Sequence, residues 1–363
     1  MSYPKTMRAQ VFHEPEKMQL EEVSVPPVAE DEVLIKVAQC GICGSDMAYY
    51  YGSASLETAS GKGPLILGHE FTGEIAALGS AVAKTGAFKE GDPVVANPVQ
   101  SNPMSNASQA GQPNLCDLKT VLGVSVDGGF AEYCVSKAGG TLKLPAGVSL
   151  EAGALAEPLA CATYGVQNLK VEVGQTVAIF GAGPIGLMHT QLAKASGAGQ
   201  LILIEALDYR LEKGLALGAD VAINTVDKKS KYYVADLKAK IAELTNGQMC
   251  ERALTATGNV GAMEAALEIT GRKAIIVYFG LPADDALVKV PAAQSIFNDK
   301  TIRFSWLAPF TWPAALKAIA TKRIDVESLI SKRAGLSGLA AGIQSMRDHS
   351  ENVLKILISP RES

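Results

Sequence analysis

One stretch of this chain leaves few folds open to it. The apolar run Gln175-Thr176-Val177-Ala178-Ile179-Phe180 ends in Gly181-Ala182-Gly183-Pro184-Ile185-Gly186. A helical pattern then continues to about Ala195, and a second apolar run, Gln200-Leu201-Ile202-Leu203-Ile204, ends at Glu205. A glycine turn alone is weak, because such turns are common. Set between a strand and a helix, with an acidic residue at the end of the next strand, it predicts a βαβ unit that binds a dinucleotide. Gly181 allows the tight turn, Gly183 lets the backbone approach a pyrophosphate, and Gly186 lets helix and strand pack closely. The helix N-terminus faces the negative phosphates. Pro184 and Ile185 lie inside the turn and belong to the same candidate contacts. Glu205 is placed to accept hydrogen bonds from the ribose hydroxyls and to repel a 2′-phosphate, which favours NAD over NADP; Arg210, just downstream, pulls the other way.

The alternation continues beyond this unit. Helix Tyr209 to Leu217, strand Val221 to Ile223, helix Tyr232 to Leu244, strand Arg252 to Ala256 and a helix from Asn259 lead to Ala274-Ile275-Ile276-Val277-Tyr278-Phe279-Gly280. Phe279, at the end of that last run, joins the candidate cofactor contacts. Strands alternating with helices predict an α/β fold with a doubly wound parallel sheet over residues 151–290. The first 150 residues differ. Short period-two runs such as Glu32-Val33-Leu34-Ile35-Lys36-Val37, punctuated by Gly and Pro, predict a β-rich domain. Residues 291–363 are mixed and end in a strand-like Leu354-Lys355-Ile356-Leu357-Ile358. At 363 residues, two domains are the default expectation.

The chemistry-bearing candidates cluster in the β-rich part. Gly68-His69-Glu70-Phe71-Thr72-Gly73 sets an imidazole beside a carboxylate. Cys43 lies upstream, and Glu157 lies downstream in Ala156-Glu157-Pro158-Leu159. A lone histidine is more often structural than a ligand, but thiol, imidazole and carboxylate together are zinc donors. Cys40 and Cys43 form one Cys-x-x-Cys pair; no second pair exists, which excludes a four-cysteine site. The six cysteines read as reduced thiols, because a chain this long needs no disulfide staples and starts without a secretory pattern. A net charge of −4 gives no case for nucleic acid or an anionic membrane, and no apolar run approaches a membrane span. A cytoplasmic protein is the simplest reading.

Gly41-Ile42-Cys43-Gly44-Ser45-Asp46, Gly68 to Val82, Gly91-Asp92, Asp127-Gly128-Gly129-Phe130-Ala131-Glu132-Tyr133, Glu157-Pro158-Leu159 and the Gly181 turn occur in that order. In this the chain resembles the zinc-dependent medium-chain dehydrogenases, in particular the sorbitol (polyol) dehydrogenase branch, over nearly its whole length. The resemblance implies a GroES-like catalytic domain built from both chain ends (1–150 and 291–363), a Rossmann coenzyme domain between them, and homodimers or homotetramers. It implies Cys43, His69 and Glu157 as ligands of one catalytic zinc, with Glu70 exchanging with Glu157 or with water. Ser45 then takes the proton of a polyol or other secondary alcohol while NAD takes the hydride. Lys355 is a candidate for the pyrophosphate, or else a solvated lysine. A non-enzymatic protein of the same fold is the remote alternative; an intact ligand set argues against it.

The chain departs from that family in three places. Where relatives bind a structural zinc through four cysteines, it has Asn102, Ser105, Ser108 and Cys116, so no second zinc is expected. Where relatives end a proton relay in histidine, it has Ala48, which leaves water, the ribose, Tyr49 or Tyr50 as exits. In Phe304-Ser305-Trp306-Leu307-Ala308-Pro309-Phe310-Thr311-Trp312-Pro313 the polar residues of polyol dehydrogenases are missing.

Overall fold

The computed structural model describes residues 3–349 and 352–362. The described chain divides into two compact units, one made of 1–158, 312–322 and 326–363, the other of 159–311 and 323–325.

The first unit begins with strands β1 (Thr6–Glu14), β2 (Lys17–Ser24) and β3 (Glu32–Gly41), then helix α1 (Gly44–Tyr50). Next come β4 (Leu65–Ile66), β5 (Glu70–Leu78), α2 (Ser80–Thr85), β6 (Pro93–Ala96), β7 (Val99–Gln100), α3 (Asn106–Gln109) and β8 (Thr120–Val121). β9 (Tyr133–Lys137), β10 (Thr141–Lys143) and α4 (Leu150–Ala154) lead into α5 (Ala156–Leu169). β3 is the hub of the main sheet. It pairs antiparallel with β5, with β9 and, at its end, with the last strand of the chain (Lys355–Ser359). Its side chains are buried almost throughout, as a central strand of apolar residues requires.

The second unit holds β11 (Thr176–Phe180), α6 (Pro184–Ala195), β12 (Gln200–Ile204), α7 (Asp208–Ala216), β13 (Val221–Ile223) and α8 (Leu237–Leu244). It continues with β14 (Cys250–Thr255), α9 (Val260–Glu268), β15 (Thr270–Tyr278), α10 (Ala292–Phe297) and β16 (Thr301–Phe304). The strands form one parallel sheet in the order β13-β12-β11-β14-β15-β16. This is a doubly wound sheet, with the order reversing between β11 and β14. It extends past residue 290, because β16 pairs in register with β15. The helix expected from Tyr232 starts only at Leu237; Asp236 caps it by accepting from the Ala239 amide at 2.9 Å. The chain returns to the first unit with α11 (Trp312–Ala320), β17 (Ile330–Gly335), α12 (Leu339–Arg347) and β18 (Lys355–Ser359). No helix among the described residues is long and apolar enough to cross a membrane.

Candidate active site

Three neighbouring features of the first unit build the site. β3 ends at Gly41, opposite Glu70 at the start of β5. β18 lies on the other side of β3, pairing Leu357 with Gly41. The chain leaving β3 turns at once into α1, whose N-cap is Cys43. A thiol, an imidazole and a carboxylate thereby meet: the ligand atoms of Cys43, His69 and Glu70 lie within 4.8 Å of one another, the single such group among the described residues. Two glycines make room. A side chain at Gly41 would run into the Glu70 carboxylate. One at Gly68, whose φ is +93°, would meet the Cys40 sulfur and the Phe130 ring.

The imidazole is held from both edges. Its Nδ1 lies 3.6 Å from Asp46 Oδ1, and neither atom has another hydrogen-bond partner. Asp46 Oδ2 accepts from the Cys43 amide at 2.8 Å. On the other edge Nε2 is 3.5 Å from the Ser45 hydroxyl. Burial pulls the His69 pKa down, but the charges of Asp46, Cys43 and Glu157 outweigh it and hold the imidazole well above its usual range. Burial raises Asp46 against the pull of His69. Cys43, Asp46, Glu70 and Glu157 thus offer four acidic groups against His69 and Lys355, a balance and donor set that suit a divalent, thiolate-accepting cation such as zinc.

Lys355 is neither at a pyrophosphate nor solvated. It is 3% exposed, and its ammonium donates to both oxygens of Glu70, at 2.6 and 2.9 Å, and to the Ile42 carbonyl at 2.9 Å. Burial lowers its pKa, but Glu70 and Cys43 outweigh that and raise it overall. The expectation of a phosphate contact is corrected. A lysine in a wholly buried strand needs an anion beside it, and Glu70 is that anion. The sequence carried this signal in an isolated lysine within Val353-Leu354-Lys355-Ile356-Leu357-Ile358. Asp46, quoted only as part of a motif, is the other residue that sequence reasoning left without a role. Glu157 is buried and close enough to act on His69, yet it lies outside the three-ligand group. Cys40 is fully buried, and its thiol is driven well above its usual pKa by that burial.

The Asn102 to Cys116 segment closes on hydrogen bonds. Ser105 caps α3 by accepting from the Ser108 amide at 3.1 Å, and its hydroxyl donates to Ser108 Oγ at 2.9 Å. The Cys116 thiol, 4.0 Å from the Asn102 carbonyl, is lowered in pKa chiefly by its hydrogen bond with Ser105.

In the second unit the glycine turn lies between β11 and α6. Gly181 has φ +92°, and a side chain at Gly186 would strike the Gly181 carbonyl. Gly183 differs: a side chain there would meet nothing within 4 Å, so its bareness leaves an open cradle at the N-terminus of α6, with Pro184 in the first helical turn. That suits a phosphate. Glu205 spans two turns. Its Oε2 accepts from the Ala182 amide at 2.7 Å and its Oε1 from Ala206 and Leu207 at 2.7 and 3.3 Å. The Arg210 guanidinium stands 3.9 Å from the same carboxylate. Phe279 donates its amide to the Thr255 carbonyl and packs edge-on against His189, with ring centres 4.7 Å apart. His189, missed in the sequence, is fully buried with both ring nitrogens unpartnered.

Residues 29–146 match the alcohol dehydrogenase GroES-like domain model, and residues 184–321 match the zinc-binding dehydrogenase model. Sorbitol dehydrogenase of Bacillus subtilis is 31% identical over 360 residues, covering 98% of each chain. A zinc-binding dehydrogenase of Sinorhizobium meliloti, solved with NADP, superimposes with a TM-score of 0.89 at 26% identity, covering 98% of this chain and 100% of that one. An alcohol dehydrogenase of Escherichia coli, solved with NADH, gives 0.89 at 28% identity with the same coverage.

Proposed function

Because the chain belongs to the zinc-binding dehydrogenases of the alcohol dehydrogenase superfamily, enzymes acting on CH–OH groups, we propose that it interconverts a polyol or sugar-derived secondary alcohol and its ketone with NAD. The observation that carries this reading is the convergence of the Cys43, His69 and Glu70 ligand atoms within 4.8 Å of one another. One zinc per chain would be held by Cys43 and His69 with Glu70 or Glu157, supplying Lewis acidity at the substrate oxygen, while the nicotinamide takes the hydride.

The protein's own groups do the rest. The Asp46 carboxylate faces His69 Nδ1 at 3.6 Å, so it would orient the ring with Nε2 toward a metal. Ser45, beside that nitrogen, takes the substrate hydroxyl proton. Ala48 cannot pass it on. Tyr49 is pushed up to about 12 by burial and by Asp46, so it remains a neutral phenol and relays a proton only by donating one as it accepts another. Ser45 therefore releases the proton chiefly to water.

Glu205 and the open cradle at Gly183 support a dinucleotide, and Glu205 supports NAD over NADP despite Arg210. The hydrogen-bonded Ser105–Ser108–Cys116 segment supports the absence of a second zinc. We further propose a cytoplasmic homo-oligomer, a dimer or a tetramer. A second substrate reading, another secondary alcohol, diol or sugar derivative, is favoured by the sequence of Phe304 to Pro313, which lacks the polar residues that polyol dehydrogenases carry there. A panel of polyols, diols and simple secondary alcohols with NAD and with NADP, followed by the absorbance of the reduced nicotinamide, tests both readings. Turnover of simple alcohols with no response to polyols selects the second; no turnover by zinc-replete protein with any of them overturns the first as well.

A further inference from the structure

Asn224 follows β13 and is 0% exposed. Its side-chain amide is fully used. Nδ2 donates to the Ala206 carbonyl and to Asp208 Oδ1, each at 2.9 Å. Oδ1 accepts from the amides of Val226 and Asp227, each at 2.9 Å. The main chain is used as well: its amide donates to the Tyr232 carbonyl and its carbonyl accepts from the Val234 amide, both at 2.9 Å. Ser230 donates to the same Asp208 oxygen at 2.6 Å. Residues 225–233 are therefore an excursion closed at its neck by one asparagine.

What the neck is tied to matters more than the excursion. Ala206 lies in the turn from β12 into α7 and Asp208 opens that helix; the turn begins at Glu205, and Arg210 sits in the first turn of the helix. The other anchor of the β12–α7 turn is Glu205 itself, whose carboxylate accepts from Ala182 in the glycine turn and whose amide donates to Ile223, the residue before Asn224. A short loop with only one anchor would move at room temperature; a buried, fully satisfied amide holds it in a single arrangement. An apolar residue at 224 would leave the Ala206 carbonyl and the Val226 and Asp227 amides without their partner, and the turn would shift to reach water.

We propose that Asn224 is a positioning residue for the adenosine end of the dinucleotide: acting through Ala206 and Asp208, it holds the Glu205–Arg210 turn in the arrangement that grips the ribose hydroxyls and disfavours a 2′-phosphate. This rests on the dinucleotide reading of the glycine turn. The test uses zinc-replete enzyme, wild type and the variants Asn224→Ala and Ser230→Ala. ADP-ribose affinity is measured by calorimetry, KM and kcat with NAD and NADP by rate, and folding by thermal melts. In Asn224→Ala, loss of the buried hydrogen bonds should raise KM for NAD and weaken ADP-ribose about tenfold or more, with kcat at saturating NAD nearly unchanged and the NAD-over-NADP ratio reduced. Ser230→Ala should show the same pattern more weakly, and it decides the matter if Asn224→Ala does not fold. Folded variants that keep the wild-type KM, ADP-ribose affinity and cofactor ratio overturn the proposal, as does a loss confined to melting temperature. Wild-type enzyme that binds no ADP-ribose overturns the dinucleotide reading instead, and the two failures are told apart by that control.

Discussion

Two single residues outside the expected ligand set, Lys355 and Asp46, bear directly on its members. Lys355 and Glu70 are a buried ion pair, 3% and 1% exposed, joined at 2.6 Å between the C-terminal strand and β5. A pair of this kind adds little against an apolar replacement of both partners, but breaking it strands a charge. Lys355→Met should therefore lower the unfolding free energy by roughly 3–5 kcal/mol in denaturant titrations, while Lys355→Arg should lose much less. A Met variant as stable as wild type would mean that Glu70 had found another cation. Asp46 acts on the imidazole rather than on a ligand directly. Asp46→Asn keeps the shape but removes the charge facing Nδ1, and zinc affinity or activity should fall about 10- to 100-fold by chelator competition and rate. Unchanged zinc affinity would remove Asp46 from the site. Both residues stood in the sequence, but only as members of longer patterns. What ties Lys355 to Glu70 is the β18–β3–β5 order, a long-range pairing that no local pattern encodes.

At the scale of elements, local pattern and structure agree where hydrophobic period and turn chemistry coincide. The strand–glycine turn–helix of β11 and α6 was legible because each part has its own signal; the start of α8 was misplaced at Tyr232 because apolar residues, rather than the Asp236 cap, were followed. The interior of α6 was not legible. His189 looks like any helical residue, yet it is fully buried against Phe279 and over the bare Cα of Gly165. Burial pushes its pKa down to about 3. The sign follows directly: below about pH 6.5 the unfolded chain takes up a proton that the folded chain refuses, so stability is complete above that pH and declines as pH falls toward 3. The slope from this one group is about 1.4 kcal/mol per pH unit. Replacing it by His189→Leu should flatten the acid limb of a stability-against-pH curve between about pH 6 and pH 4. An unchanged slope would show that the imidazole is hydrated in the folded protein.

At the scale of the whole molecule, the alternation of strand and helix patterns after residue 150 pointed to a parallel sheet, and that sheet is present, but it runs on to β16, past the boundary expected at residue 290. The free edge was not foretold. β16 ends the parallel sheet, and Phe304 on it is 76% exposed; Phe297 on the preceding α10 is 84% exposed. Thr301-Ile302-Arg303-Phe304 thus offers unpaired backbone beside large apolar side chains, the kind of edge that pairs with another chain unless it is covered. A second copy related by a two-fold axis would cover it by pairing β16 with its own counterpart, burying the same aromatic residues on both sides. We therefore expect wild-type enzyme to run as a dimer or tetramer in light scattering coupled to gel filtration. Phe304→Lys puts a charge from each copy into the apolar seam that such pairing would bury, so it should halve the assembled mass or raise the dissociation constant by about tenfold or more. Zinc content and dinucleotide binding of each subunit should survive the change, since Phe304 is none of the residues expected to carry them. A wild-type protein that is monomeric at every concentration would refute the pairing, and a Phe304→Lys variant that keeps the wild-type mass would move the interface elsewhere on the surface.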